Sequence, residues 1–236
     1  MNRLSKWVLV TGAGKGIGKA TARLLAQNGW GVVLVARQTS DLQQLTEQIS
    51  AEGGSAHWIS MDLTREENLS RLAASIKDWK IDLHALVLNA RIARIGSIIS
   101  MPLSQWRDIF EMNVLSQVAI LQALFPLLKK PAHIVFMNSV AGKEAFAQWG
   151  AYAASKFALR AVADTLRAEL AGQDIKVTSI FPSSTDTPLQ DALGLDWDRA
   201  QMLRPESVAQ AVWTALNAPK QALVKEIVVE HAKGLF

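Results

Sequence analysis

Two stretches carry side chains that could do chemistry. The first is Tyr152-Ala153-Ala154-Ser155-Lys156, where a phenol and an amine stand four residues apart. On a helix that spacing puts both on one face, one turn apart. A free phenol titrates near about 10 and is a weak acid–base catalyst at neutral pH. An ammonium beside it favours the phenolate and moves it towards the range where general acid–base catalysis works. Tyr-x-x-x-Lys arises by chance in many helices, so the pair gains weight only with Ser139, thirteen residues earlier. Ser139 follows the apolar run Ile134–Asn138 and stands at a strand's carboxyl end, where open α/β sheets bind ligands. A hydroxyl there can hydrogen-bond a carbonyl oxygen as charge grows on it. An ordinary turn serine is the plain alternative.

The second stretch is Thr11-Gly12-Ala13-Gly14-Lys15-Gly16-Ile17-Gly18, directly after the apolar run Trp7–Val10. A glycine run between a first strand and a first helix leaves backbone N–H groups unpaired at the positive end of the helix dipole, which suits a pyrophosphate. Gly12 is expected to make the tight turn, Gly16 to admit a phosphate, and Gly18 to let helix and strand pack. The spacing is G-x-x-x-G-x-G rather than G-x-G-x-x-G, and no Lys-Ser/Thr pair follows at Walker distance. A glycine-rich structural turn is the alternative. The second strand ends Val35-Ala36-Arg37 without the acid that usually accepts from an NAD ribose. Arg37 has the planar fork for a 2′-phosphate and Lys15 adds a cation, so the expected cofactor is NADP(H).

These groups need a scaffold. Short β-rich runs recur at 8–10, 32–36, 56–60, 85–89, 133–138, 176–181 and 226–229, several apolar on both faces as buried parallel strands are. Helical spacing lies between them, in Ile17-Ala20-Leu24-Leu25, Leu42-Leu45-Ile49 (opened by Ser40 or Asp41) and Leu69-Leu72-Ile76, with Thr64 and Glu67 as a capping box. Two longer helical segments, 103–129 and 151–171, flank the fifth strand. The alternation predicts an α/β fold, a doubly wound parallel sheet with helices on both faces, in one domain over 1–236. The stretch 188–205 is least regular; Leu189, Leu193, Leu195 and Trp197 read as a small lid over a pocket.

The chain has 236 residues, 50% hydrophobic and 19% charged, which is globular composition. It has no cysteine, so no disulfide or thiolate metal site. The net charge of +4 is dispersed, without a basic block for nucleic acid. The segment before Trp7 is too short for a secretory core, and the run 118–128 is interrupted by Gln122 and Pro126. No nucleic-acid or membrane partner and a cytoplasmic location are expected. His57, His84, His133 and His231 lack metal-ligand spacing and read as strand-edge or surface residues, with no metal site. Of eight tryptophans, Trp7, Trp30 and Trp213 read as packing anchors, whereas Trp149 and Trp197 could line an apolar pocket.

Taken in order, T-G-x-x-x-G-x-G at 11–18, Asp62, Asn89-Ala90, Asn113, Ser139, Tyr152 and Lys156 resemble the short-chain dehydrogenase/reductase superfamily in its compact single-domain form, over nearly the whole chain. The resemblance implies a seven-stranded Rossmann sheet of order 3-2-1-4-5-6-7 and homodimers or homotetramers formed through the two long helices. It implies that Tyr152 exchanges a proton with the substrate oxygen. Ser139 would hold the carbonyl, Lys156 would tune Tyr152 and bind the nicotinamide ribose, and the Asn113 backbone carbonyl would fix a relay water. Gly12, Lys15, Gly16, Ile17, Gly18 and Arg37 would meet the phosphates and ribose, Asp62 and Leu63 the adenine, Asn89 and Ala90 the adenosine ribose, and Pro182, Thr185 and Thr187 the nicotinamide.

Two positions depart from the family. Arg91 replaces the glycine of Asn-Asn-Ala-Gly, and is expected to swing its guanidinium to solvent rather than lie by the phosphates or substrate. Ser183 replaces the glycine of Pro-Gly and restricts φ. The expected activity is an NADP(H)-dependent oxidoreductase moving hydride between nicotinamide and a small carbonyl or alcohol substrate. A weakly catalytic NADP(H)-sensing protein is the alternative. An enoyl reductase would use a longer Tyr–Lys spacing, and a sugar epimerase a longer C-terminal domain.

Overall fold

A computed structural model describes residues 6–191, 193–194 and 197–233. Seven strands are joined in one parallel sheet: β1 (Trp7–Thr11), β2 (Gly31–Ala36), β3 (Ser55–Ser60), β4 (Leu83–Leu88), β5 (Leu128–Met137), β6 (Ile175–Pro182) and β7 (Glu226–Val229). Their order is β3-β2-β1-β4-β5-β6-β7, the order the resemblance implies. The helices are α1 (Gly16–Gln27), α2 (Thr39–Ala51), α3 (Glu66–Asp78), α4 (Leu103–Phe110), α5 (Ser116–Leu124), α6 (Gly150–Glu169), α7 (Pro188–Asp191) and α8 (Pro205–Leu216).

Alternation along the strands feeds two cores. Val8, Val10, Val32, Leu34, Ala85 and Val135 point to one face, where Ile17, Leu25, Leu45 and Val212 of α1, α2 and α8 cover them. Leu9, Val33, Leu86, Ile134 and Phe136 point to the other, under Leu72, Ile120, Leu124 and Leu159 of α3, α5 and α6. Burial on both faces explains why these strands read as continuous apolar runs. Trp30 and Trp213 pack at the margin of the first core and Trp7 at the margin of the second, as anchors.

Several local expectations are corrected. The helical run 103–129 stops at Leu127, and Leu128 already pairs with Leu83 in the sheet. Within it, Glu111–Leu115 form a π turn between α4 and α5. By length and hydropathy the stretch Leu103–Leu127 could cross a bilayer, but half of its most apolar window is buried against the rest of the chain; Ile120, Leu121 and Leu124 belong to the second core. The Thr64–Glu67 capping box does not form: α3 starts at Glu66, and Thr64 donates through both its backbone N–H (3.0 Å) and Oγ1 (2.8 Å) to Asp62 Oδ1. The nearer carboxylate wins this competition as an Asx turn. Helix α2 starts at Thr39 with Gln38 at its cap, two or three residues before the expected Ser40 or Asp41.

His133 is no edge residue. It is buried on β5, with Nε2 2.8 Å from Thr178 Oγ1. The Thr178 hydroxyl donates to the Val224 carbonyl at 2.6 Å, so its oxygen accepts and neutral His133 carries its proton on Nε2. Burial, with Lys176 nearby, holds its pKa down at about 4. His57 is half-buried and stacked between Trp7 and Trp79, with ring centroids 5.3 and 4.4 Å away. No group of metal-ligating side chains occurs among the described residues.

The His133 environment has a measurable consequence. The unfolded chain takes up a proton near pH 6.5, while the folded chain resists until about pH 4. Stability is therefore withdrawn as pH falls through that window, by about 2 kcal/mol between pH 7 and 4.5. His133→Gln keeps a donor for Thr178 without the titration. Urea unfolding at both pH values should show a smaller acid loss for the variant than for the parent; equal losses would rule this out.

Candidate active site

The connections from β1 and β4 leave towards opposite edges of the sheet, opening a crevice at the strands' carboxyl ends. Side chains close its floor. Thr11 Oγ1 accepts from the backbone N–H of Asn89 (2.8 Å) and of Ala90 (3.0 Å), and Asn89 Nδ2 donates to the Thr11 carbonyl at 2.9 Å. Gly12 turns the chain with φ +63°, and a Cβ on Gly18 would lie 2.2 Å from the Gly12 carbonyl oxygen. These two glycines do what the sequence implies. Gly16 has φ +52° and borders the crevice, and a Cβ there would lie 2.8 Å from Thr187 Cγ2, so only glycine fits against that side chain.

Two adjoining cavities, about 620 and 580 Å³, run along the crevice. Gly16, Ile17, Asn89 and Thr187 border the first, Met61 and Leu63 the second, and Gly12, Lys15, Arg37, Ala90 and Arg91 both. The Asp62 carboxylate lines neither; it is spent on Thr64, whose backbone N–H is the main reason its pKa is lowered. Lys15 is not the unopposed cation expected, because its Nζ is 3.4 Å from Asp41 Oδ2. Arg37 remains exposed at the mouth of both cavities.

A third cavity of about 210 Å³ opens where β5 and β6 end and α6 begins. Ser139 and Tyr152 line it together, with Pro182, Ser183 and Thr185 on one side and Trp149, Leu189, Leu193 and Trp197 on the other. Ser139 caps a short 3-10 turn, its Oγ accepting from the Ala141 N–H at 3.2 Å. Asn138 fixes that turn against α6: its Oδ1 accepts from the Ser139 N–H (2.9 Å), and its Nδ2 donates to the Lys156 carbonyl (3.2 Å). Ser183 is buried, outside the positive-φ region, and donates its N–H to the Val229 carbonyl, so serine costs the backbone nothing here.

Lys156 is buried behind this wall, its Nζ donating to the Met137 carbonyl at 2.9 Å and lying 5.7 Å from the centre of the Tyr152 ring. Burial first, and the Arg91 guanidinium second, push its pKa well below the usual lysine value. Arg91 has not swung to solvent. Its Nη1 donates to Asn89 Oδ1 at 3.2 Å, and the side chain borders all three cavities. Asn113 sits in the π turn, fully buried. Its side chain clamps Ile92 (Oδ1 from N–H, 2.9 Å; Nδ2 to carbonyl, 3.0 Å) and donates to Ser155 Oγ at 3.0 Å. A π turn displaces backbone carbonyls from the regular helical ladder.

Thr11, Asn138 and Ser155 were not singled out as site residues by their sequence; the available signal was a polar residue at the end or on the buried face of an otherwise apolar element. The irregular segment is stapled shut at its base. Thr185 bridges Leu203, and the Asp186 N–H donates to the Leu203 carbonyl at 2.8 Å. Arg199 pairs with Asp186 at 2.5 Å and with Asp191. Of its expected apolar contacts, Leu195 lies outside the described residues.

The family model for short chain dehydrogenase matches residues 6–197. An uncharacterized oxidoreductase of Staphylococcus epidermidis is 32% identical over 226 residues, covering 95% of this chain and 96% of the relative. A short chain dehydrogenase of Shigella flexneri, solved in complex with NADP, superposes with a TM-score of 0.89 at 28% identity, over 95% of this chain and 96% of the other. One from Burkholderia cenocepacia, also with NADP, gives 0.88 at 27%, over 98% of each chain.

A buried amine whose pKa is depressed burdens the fold. The unfolded chain binds the proton up to the ordinary lysine pKa, so at neutral pH this term opposes folding. Lys156→Met should therefore melt at or above the parent temperature while losing turnover. A fall of more than a few degrees, on a scale where about 1 kcal/mol shifts a chain of this size by 2–4 °C, would show the amine to be a structural prop.

Proposed function

The chain belongs to the short-chain dehydrogenase family of oxidoreductases, and from that premise we propose that it is an NADP(H)-dependent reductase of a small carbonyl compound. The observation that carries this reading is the shared cavity: the Ser139 hydroxyl and the Tyr152 phenol face one space, with Lys156 a helical turn beyond Tyr152.

A dinucleotide fits the crevice chemically. The paired cavities are long and continuous, the glycine turn exposes backbone, and Thr187 Oγ1 is buried there without a partner among the described residues. Gly12, Ile17, Asn89 and Ala90 would border it, Arg37 would take the 2′-phosphate, Leu63 the adenine, and Pro182, Thr185 and Thr187 the nicotinamide end. When bound, the reduced cofactor supplies the hydride. Ser139 holds the carbonyl oxygen and Tyr152 gives it a proton. Lys156 has N–H groups beyond the one spent on Met137 and offers them to the ribose. The Asn113 carbonyl, in the π turn, holds a water through which Lys156 and Tyr152 regain the proton. Arg91 adds a second cation to the lining of the same cavity. Residues 188–205 act as the lid. Exposed Leu115 and Phe157, on the two long helical segments, support pairing of copies along that face.

Tyr152→Phe should lower kcat by about 10²–10⁴-fold and leave the NADPH dissociation constant unchanged; a protein that only senses the cofactor would keep its output. Arg37→Ala should weaken NADPH about ten- to a hundredfold and leave NADH unaffected. Fluorescence titration of both nucleotides against parent and variant decides the second point, and equal losses for the two would sink the 2′-phosphate assignment.

A further inference from the structure

The substrate cavity is divided by chemistry. Its hydroxyls gather at the strand ends, on Ser139, Tyr152 and the 183–185 loop. The opposite wall is aromatic. Trp149 and Trp197 are stacked at 6.0 Å between centroids with an interplanar angle of 25°, and Trp149 also meets the Tyr152 ring edge-on at 5.5 Å. Phe146 extends this wall and is itself 38% exposed. Three aromatic rings thus line this wall beside the phenol, and one of them, Trp197, belongs to the stapled segment.

Exclusions follow from the same lining. Among the described residues no carboxylate borders the cavity, so nothing there receives a cationic substrate, and Arg91 is its one charged group. Away from the strand ends the uncharged polar groups of the lining are the Gln190 amide, whose Oε1 is buried without a partner among the described residues, and the indole N–H groups, which are few for the several hydroxyls of a sugar. The volume, about 210 Å³, suits a ring compound; an apolar cavity of about 150 Å³ is enough for benzene. Aromatic rings attract one another in offset or edge-on geometry beyond the effect of buried area.

We propose that the substrate is an aryl aldehyde or aryl ketone, its ring held by Trp149 and Trp197 while its carbonyl faces Ser139 and Tyr152. The inference rests on the reductase reading and names its substrate class. The carbonyl carbon takes a hydride, its C=O π bond opens, and the oxygen takes the Tyr152 proton; the product is the benzylic alcohol, with the nicotinamide oxidised by two electrons.

The test compares benzaldehyde, cyclohexanecarbaldehyde and glyceraldehyde with NADPH. The saturated ring matches the aryl ring in size and its aldehyde is the more electrophilic, so preference for benzaldehyde cannot come from intrinsic reactivity. The expected result is a kcat/KM for benzaldehyde about three- to tenfold above the cyclohexane analogue, and further above glyceraldehyde. In the double variant Trp149→Leu, Trp197→Leu the aryl preference should vanish through KM, with NADPH affinity kept; Trp149→Phe, Trp197→Phe should restore it. A ratio near one in the parent, or one that survives the leucine variant, overturns the aryl proposal and leaves the reductase standing. Calorimetric binding of benzyl alcohol against cyclohexylmethanol to the NADP-loaded protein reads the same preference without turnover. Failure of all three aldehydes to react would count against the reductase reading, and the alcohol ratio would still decide this one.

Discussion

Everything in the cleft depends on how β1 and β4 are held together at the point where their connections part. A parallel sheet that winds outward in both directions opens a crevice there, but the same divergence leaves backbone groups without strand partners. Thr11 and Asn89 satisfy them: one hydroxyl accepts two N–H groups of the β4 exit, and one amide returns to the β1 carbonyl. A threonine and an asparagine at the ends of two otherwise apolar strands thus convert a gap into a floor. Buried polar groups that are fully paired are rigid, so the glycine turn above β1 and the Asn89–Arg91 segment keep a fixed separation. Arg91 is placed by this knot too, its Nη1 donating to the oxygen of the Asn89 amide whose nitrogen holds β1.

Electrostatics in the neighbouring site follow from that placement. An amine with one carbonyl partner and no solvent is held far from its usual titration range. A second cation beside it adds to the depression instead of relieving it. Such an arrangement opposes folding and is tolerated because the two cores, one on each face of the sheet, supply the stability. Strain of this kind is concentrated at sites that do chemistry. Arginine at position 91, where the family resemblance leads one to expect glycine, therefore alters the charge of the cleft as well as its shape.

The strands were legible because their signal is strong: buried parallel strands are short uninterrupted apolar runs, as Val32–Val35 and Ile134–Met137 are, whereas their order came only with the family resemblance. Tyr152, Lys156 and Ser139 were legible by spacing. The failures share a cause. Each concerned a side chain with two available partners, and sequence does not say which is nearer. Thr64 turned to Asp62 instead of capping α3. Lys15 found Asp41. Arg91 found Asn89 instead of water. His133 looked like an edge residue because its hydrogen-bond partner, Thr178, is 45 positions away on the adjacent strand. The π turn around Asn113 was illegible for a different reason, since inserting one residue's worth of backbone into a helix leaves the apolar pattern on either side almost intact.

On the proposed lid reading, the stapled segment would be a cover with a defined base and a loosely held outer part. Its base is fixed by the Thr185–Leu203 bridge and two backbone hydrogen bonds, so its two ends cannot separate. Its outer part leans on Arg199, whose partners Asp186 and Asp191 are more than half exposed. Ion pairs in water hold little, about 0–1 kcal/mol each. The base therefore sets where the segment lands, while the ion pairs set only a shallow preference for landing. What remains to hold it down is contact across the cavity, where among the described residues it presents Leu189, Leu193 and the Trp197 ring, the last stacked against Trp149. On the aryl-substrate proposal, the ligand extends that contact, so closure is completed by the molecule that must be shielded from water, and the cover has little reason to stay shut without it.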